Sequence, residues 1–178
     1  MEYKKDDYKQ MTMPEKIEFI RQIHSGELDF WGDDYDYSEA GDDFLLLQDE
    51  LREDPASISE EDMLLIMKIF NDKCFELSWQ HCLIDILAGN LIHFGEDRMK
   101  LYLANLDLVP EGGRMHGWKY TIQMLLSDKD SVGVFEKAAL SQSAEVKNVL
   151  SEIIEDINID SEGVLNNLWY LHRYFDIL

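Results

Sequence analysis

Residues 59–95, SEEDMLLIMKIFNDKCFELSWQHCLIDILAGNLIHFG, decide the class of fold. Ser59 stands three residues before Asp62, the spacing at which a hydroxyl and a carboxylate cap the start of a helix. Met63, Ile66, Met67 and Phe70 then recur at three- and four-residue intervals, which places them on one helical face. After a short break the pattern resumes with Trp79, Leu83, Ile86, Leu87 and Leu91, and Gly95 ends it. The two-residue alternation of a strand is nearly absent here and elsewhere.

Toward the N-terminus the same signals continue. Thr12 with Glu15 makes a capping box, Pro14 sits in the first turn, and Ile17, Ile20 and Ile23 line a face that stops at Gly26. Residues 27–43 read as a loop, or a helix start carrying aromatic plugs. A helix with Phe44, Leu45, Leu46, Leu47 and Leu51 follows, and its broad apolar face predicts burial on more than one side. Toward the C-terminus, Met99, Tyr102, Leu103 and Leu106 mark a helix over 96–106, and Pro110 with Gly112-Gly113 breaks the chain. Met115, Trp118, Ile122 and Leu125 form the next stripe. Val134, Phe135, Ala138 and Ala139 identify a helix near 130–140. Ser143 caps one with Val146, Val149, Leu150, Ile153 and Ile157, and Ser161 caps a last one with Leu165, Leu168, Trp169, His172 and Phe175.

The expectation is an all-α single domain over residues 1–178, with about nine helices joined by short loops. Residues 1–58 form an atypical acidic N-terminal cap, 59–157 carry helix pairs, and 158–178 provide a C-terminal capping helix. The pairs, 59–72 with 76–93, 96–106 with 111–127 and 130–140 with 143–157, recur every 34 to 37 residues. That period is close to HEAT-type repeats, so the arrangement is an irregular α-solenoid of HEAT-like antiparallel pairs or a compact bundle of the same helices.

Composition bounds the function. The chain has 178 residues, 46% of them apolar, enough for a core without disulfides or metal. Its net charge is −21, and residues 22–62 hold fifteen acids against Arg52 alone. Such a field repels phosphate backbones and anionic lipid, so nucleic acid and membrane are disfavoured partners. It attracts basic proteins and speeds encounter with them. Cys74 and Cys82, on one helix, would lie about two turns apart, too far for a disulfide. Two free cysteines fit a reducing compartment. No apolar run suggests a signal peptide or a membrane span, so the expected location is cytoplasmic.

Catalytic and metal motifs fail one by one. His24, His81, His93, His116 and His172 lack partners at metal-ligand spacing. His81 and Cys82 are adjacent, so on a helix they point about 100° apart and cannot act as a nucleophile–base pair. Asp34, Asp36 and Ser38 match the first three ligand positions of a calcium loop. Glu39 then stands where glycine is required and Leu45 where glutamate is required. Gly112-Gly113 lacks the Lys and Ser/Thr of a phosphate loop. The expectation is a protein with no enzymatic activity, no cofactor and no metal.

What remains is acid interleaved with aromatics. Phe30, Trp31, Tyr35 and Tyr37 lie among Asp29, Asp33, Asp34, Asp36, Glu39, Asp42 and Asp43. As a plain loop, its rings would plug into the core. As a docking surface, its Tyr and Trp rings would supply anchors and its carboxylates would pair with Lys and Arg. The two readings combine if Phe30 and Trp31 plug while Tyr35 and Tyr37 dock. The candidate partner-binding residues are Asp33, Asp34, Tyr35, Asp36, Tyr37, Glu39, Asp42 and Asp43, with Glu60 and Glu61 at the next helix start.

One further stretch carries a resemblance. Leu91-Ile92-His93-Phe94-Gly95-Glu96-Asp97, Tyr102-Leu103-Ala104-Asn105-Leu106 and Pro110 are followed by Gly117-Trp118-Lys119-Tyr120 and Leu125-Leu126-Ser127-Asp128. The helix pair Phe135-Glu136-Lys137-Ala138-Ala139-Leu140 and Val146-Lys147-Asn148-Val149-Leu150 comes next. This text resembles the immunity protein 30 family of bacterial polymorphic-toxin and contact-dependent-inhibition systems, over roughly residues 59–157. It departs from that family's usual Arg-Ile-Leu-Asn-Asp-like text at Gln123-Met124-Leu125-Leu126-Ser127-Asp128. The resemblance implies a HEAT-like protein that neutralises a cognate toxin domain, and it transfers no interface residues. The charge points separately to a basic partner, and a nuclease toxin, an RNase before a DNase, has that character. The runner-up is an acidic helical-repeat adaptor for cellular proteins. A nucleic-acid mimic is a third reading, and a helical-repeat enzyme on damaged DNA is opposed by the charge.

Overall fold

A computed structural model describes residues 4, 6–32, 37–72, 74 and 77–160. The expected helix from Ser161 to Phe175 and the candidates Asp33, Asp34, Tyr35 and Asp36 lie outside the described residues. Among the described residues the fold is all-α, with eight α-helices and a single isolated β-bridge. They are α1 (Met13–His24), α2 (Glu39–Glu53), α3 (Glu60–Met67), α4 (Leu77–Phe94), α5 (Glu96–Ala104), α6 (Thr121–Ser127), α7 (Lys129–Leu140) and α8 (Ala144–Asp160). No helix among them is long and apolar enough to cross a membrane.

The caps sit where the residues placed them. Glu15 Oε2 accepts from the Thr12 amide at 2.8 Å and from its hydroxyl at 2.7 Å. Ser59 Oγ accepts from the Asp62 amide, and Asp62 Oδ2 accepts in return from the Ser59 amide. Ser143 Oγ accepts from the Val146 amide at 3.3 Å. The amide donors among these are ones that a helix start leaves without an intrahelical partner. Gly95, at φ +71°, turns the chain between α4 and α5 in a conformation that side chains disfavour.

Most helices pack on the next helix in the chain or the next but one. α1 lies on α3, α2 on α4, α4 on α6 and α5 on α7, while α8 lies on α7 and on the turn that leads into α6. Among the described residues, no contact of that extent joins α1 or α2 to α5–α8. Successive helix pairs therefore stack as HEAT-like units do, and α1/α2 forms a first pair at the N-terminal end. The expected pairing of 96–106 with 111–127 runs through the π turn: the Tyr102 hydroxyl donates to the Gly117 carbonyl at 2.6 Å and Trp118 Nε1 to the Leu106 carbonyl at 2.8 Å, while α5 also rests on α4 and α7. Asn90 of α4 ties two layers together: its Nδ2 donates to the carbonyls of Pro55 and Ile58, and its Oδ1 accepts from Arg98 at 2.7 Å.

Three local expectations change. Leu46 is exposed, so α2 buries one face and not several. Cys74 precedes α4 and is buried, while Cys82 is half-buried on α4. The stripe from Met115 to Leu125 is interrupted because Met115–Tyr120 is a π-helical turn. The wider turn swings Met115 out to 41% exposure and His116 and Gly117 inward. The Thr121 hydroxyl donates to the His116 carbonyl, five residues back, at 3.0 Å.

Candidate protein-docking site

The α1–α2 connection builds the site. Arg21 donates two bonds to Glu18 and two to Glu27, all between 2.7 and 2.8 Å. The guanidinium holds the exposed Glu27 carboxyl down at about 2. The Glu27 and Leu28 amides both donate to the Gln22 carbonyl, which fixes the exit from α1. Phe30 then drops into the core, its ring 4.5 Å from Trp79 and 5.8 Å from Phe44. The Ser38 amide donates to the Phe30 carbonyl at 3.0 Å, and the Ser38 hydroxyl accepts from the Gly41 amide to cap α2. Gly41 is required there, since a Cβ would meet the Phe30 carbonyl oxygen and lie 3.3 Å from its carbon.

Trp31 and Tyr37 form the antiparallel bridge that closes the loop. Their rings lie 5.1 Å apart, and each is 5.1 Å from Phe30. Phe30 is 7% exposed, whereas Trp31 and Tyr37 are 40% and 48% exposed. A buried ring thus carries two rings that face solvent. The combined expectation is half right: Phe30 plugs, but Trp31 stays outside with Tyr37. The missed signal was the parity of the bridge, since neighbours on extended backbone point to opposite sides.

The carboxylate candidates separate. Glu39 is exposed and Asp42 half-buried, both in the first turn of α2, where the helix dipole favours negative charge. Asp43 is a correction. It is 0% exposed, and its Oδ2 accepts from the Asp6 amide at 2.5 Å, so it fastens the N-terminal segment and offers a partner nothing. Glu60 and Glu61 are exposed on the first turn of α3. That turn packs through Ile58 onto Asn90 and Arg98, near the C-terminal end of α4. Phe30 packs on Trp79, near the N-terminal end of α4. Eleven helical residues between Trp79 and Asn90 span about 16 Å, so Glu60 and Glu61 stand apart from the aromatic pair along α4. The structure brings together Trp31, Tyr37, Glu39 and Asp42.

A second cluster joins residues that are far apart in the chain. Asp72 Oδ1 lies 2.6 Å from His116 Nδ1, and the carboxylate accepts from the Met115 and His116 amides. The His81 ring lies 5.7 Å from His116, and Tyr120 lies 5.2 Å from it. His116 is buried and oriented, and Asp72 in effect caps the π turn from another segment. The sequence reading missed the pair because 44 residues separate its members. Among the described residues, no group of three or more His, Cys, Asp or Glu is placed to hold a metal ion. Compared with family models, curated proteins and solved structures, the chain matches none.

Proposed function

We propose that the chain is a binding protein that neutralises a basic toxin domain, in the first instance a nuclease, by covering the surface with which that toxin holds its substrate. The observation that carries this reading is the Trp31–Tyr37 pair, held out by buried Phe30 beside Glu39 and Asp42. Exposed Trp and Tyr on a rigid base match the anchors that dominate protein interfaces. The density of acids over residues 22–62 suits a partner that is basic because it grips phosphate. The resemblance to immunity proteins points the same way.

The test is association and dissociation with the toxin domain encoded beside the gene. Trp31→Ala and Tyr37→Ala are expected to speed dissociation, each costing about 2 kcal/mol, roughly thirtyfold in affinity. Glu39→Gln with Asp42→Asn should slow association and flatten its salt dependence, with little change in dissociation. Glu60→Gln with Glu61→Gln, at the far end of α4, should change neither. Wild-type kinetics in both tip variants would remove the tip from the contact. Failure of any neighbouring toxin domain to bind would reject the immunity role itself.

A further inference from the structure

A groove lies between α8 and the end of α5, away from the aromatic tip. Its floor is Leu103, Leu106, Trp118, Val146 and Val149, and it continues to Ile153. Two contiguous hollows of about 400 and 520 Å³ share Arg114, Trp118 and Glu152. The floor is rigid: Trp118 Nε1 donates to the Leu106 carbonyl at 2.8 Å, and the Arg114 guanidinium lies 4.4 Å over the indole. Val146 and Val149 are only partly covered; among the described residues, the more extensive contacts of α8 are with α7 and the π turn.

The rim is acidic. Asp107, Glu145, Glu152 and Asp156 line the mouth, against Arg114 and Lys119. Over its length α8 carries Glu145, Glu152, Glu155, Asp156 and Asp160 against Lys147. We propose that this groove takes an amphipathic helix with a basic flank from a partner protein, its apolar stripe on Val146, Val149 and Trp118 and its Lys or Arg residues on Glu145 and Glu152. A stripe at i, i+3, i+4 and i+7 seated in an apolar trough is a recurrent way of binding a helix. A second copy of this chain fits poorly, because its own α8 would bring five more carboxylates. Residues 161–178 carry Arg173 against Glu162 and Asp176, so they lack the complementary charge.

The probe is a labelled helical peptide of about sixteen residues, long enough for roughly four turns. It is made in two forms with one Leu/Ile stripe and either Lys or Glu flanks. Fluorescence anisotropy with the full chain should show the Lys form binding at least about tenfold tighter, a gap that narrows as salt rises. The charge reversal Glu145→Lys with Glu152→Lys, on exposed positions, should invert the preference. Trp31→Ala and Tyr37→Ala should leave it unchanged, which separates this groove from the tip. A photoreactive benzoylphenylalanine at position 149 should capture the Lys peptide. Equal binding of the two peptides, no binding, or a preference that survives the charge reversal overturns the proposal. Capture of residues 161–178 or of a second copy in place of the peptide also overturns it.

Discussion

Replacing Gly113 by alanine is expected to destabilise the protein by about 3 kcal/mol, the upper range for a residue forced into a filled space. A Cβ at Gly113 would lie 2.5 Å from the Phe70 carbonyl carbon and 2.7 Å from Phe70 Cβ, and would also meet the carbonyl oxygen. Backbone atoms cannot swing aside as a side chain does, so the two segments must part. Their separation strains the bond from the Asp72 amide to the Gly112 carbonyl and the three donors that converge on the Asp72 carboxylate. In a domain of this size the loss corresponds to a fall of roughly 6–12 °C in melting temperature. Gly133 is the control. It lies inside α7 with open space around it, so Gly133→Ala should stabilise by about 1 kcal/mol, the difference in helix propensity. Thermal and urea denaturation of the two variants should move in opposite directions, and equal behaviour would contradict the packing at Phe70.

Acidification is expected to cost nearly as much through one residue. His24 is 6% exposed, stacked on Trp79 and edge-on to Phe44. Gln80 Nε2 lies 3.1 Å from its Nδ1, and among the described residues no hydrogen-bond partner reaches its buried Nε2. Burial pushes its pKa from 6.5 down to about 4. The folded protein therefore keeps His24 neutral while the unfolded chain takes up a proton below about 6.5. Stability is complete above that pH and falls as pH drops, by at most about 1.4 kcal/mol per unit and by about 3 kcal/mol near pH 4. Below about pH 3 this residue adds no further slope. Exposed carboxyls such as Glu15, Glu18 and Glu96, lowered by their own hydrogen bonds, act only below 4.5. His24→Phe should flatten the stability profile between pH 6.5 and 4 in urea melts, whatever its effect at pH 7. A variant that retains the wild-type slope would place the proton elsewhere.

The helices were readable because helix starts are local. Thr12 with Glu15, Ser59 with Asp62, and Ser143 each announce themselves within three residues, and the apolar spacing does the rest. Non-local decisions were hidden. Asp43 looks like its acidic neighbours until Asp6 arrives beside it from 37 residues away. The π turn adds width to a helix without changing composition, so Met115 joined the apolar stripe on paper and left it in space. At the candidate site, the solvent-facing position of Tyr37 was legible. The exposure of Trp31 was not, because it depends on bridge parity. The offset of Glu60 and Glu61 from the aromatic pair, set by where α3 and Phe30 each meet α4, cannot be read from adjacency in the chain.

This near-neighbour stacking of the helices has a dynamic consequence. In a linear stack each unit is held by its immediate neighbours, so opening propagates from the ends rather than through one concerted loss. α4, flanked by α2, α3, α5 and α6, is enclosed on both sides. α8 has neighbours on one side only among the described residues. Amide exchange on α4 should therefore track global unfolding, while α8 should exchange through smaller openings that leave α1–α4 intact. The acid–aromatic tip, although carried by the end pair α1/α2, is fastened to the slowly exchanging α4 through Phe30 and Trp79. The groove beside α8 belongs to the fast end, so a ligand seated there would register as slowed exchange long before it changed the melting temperature.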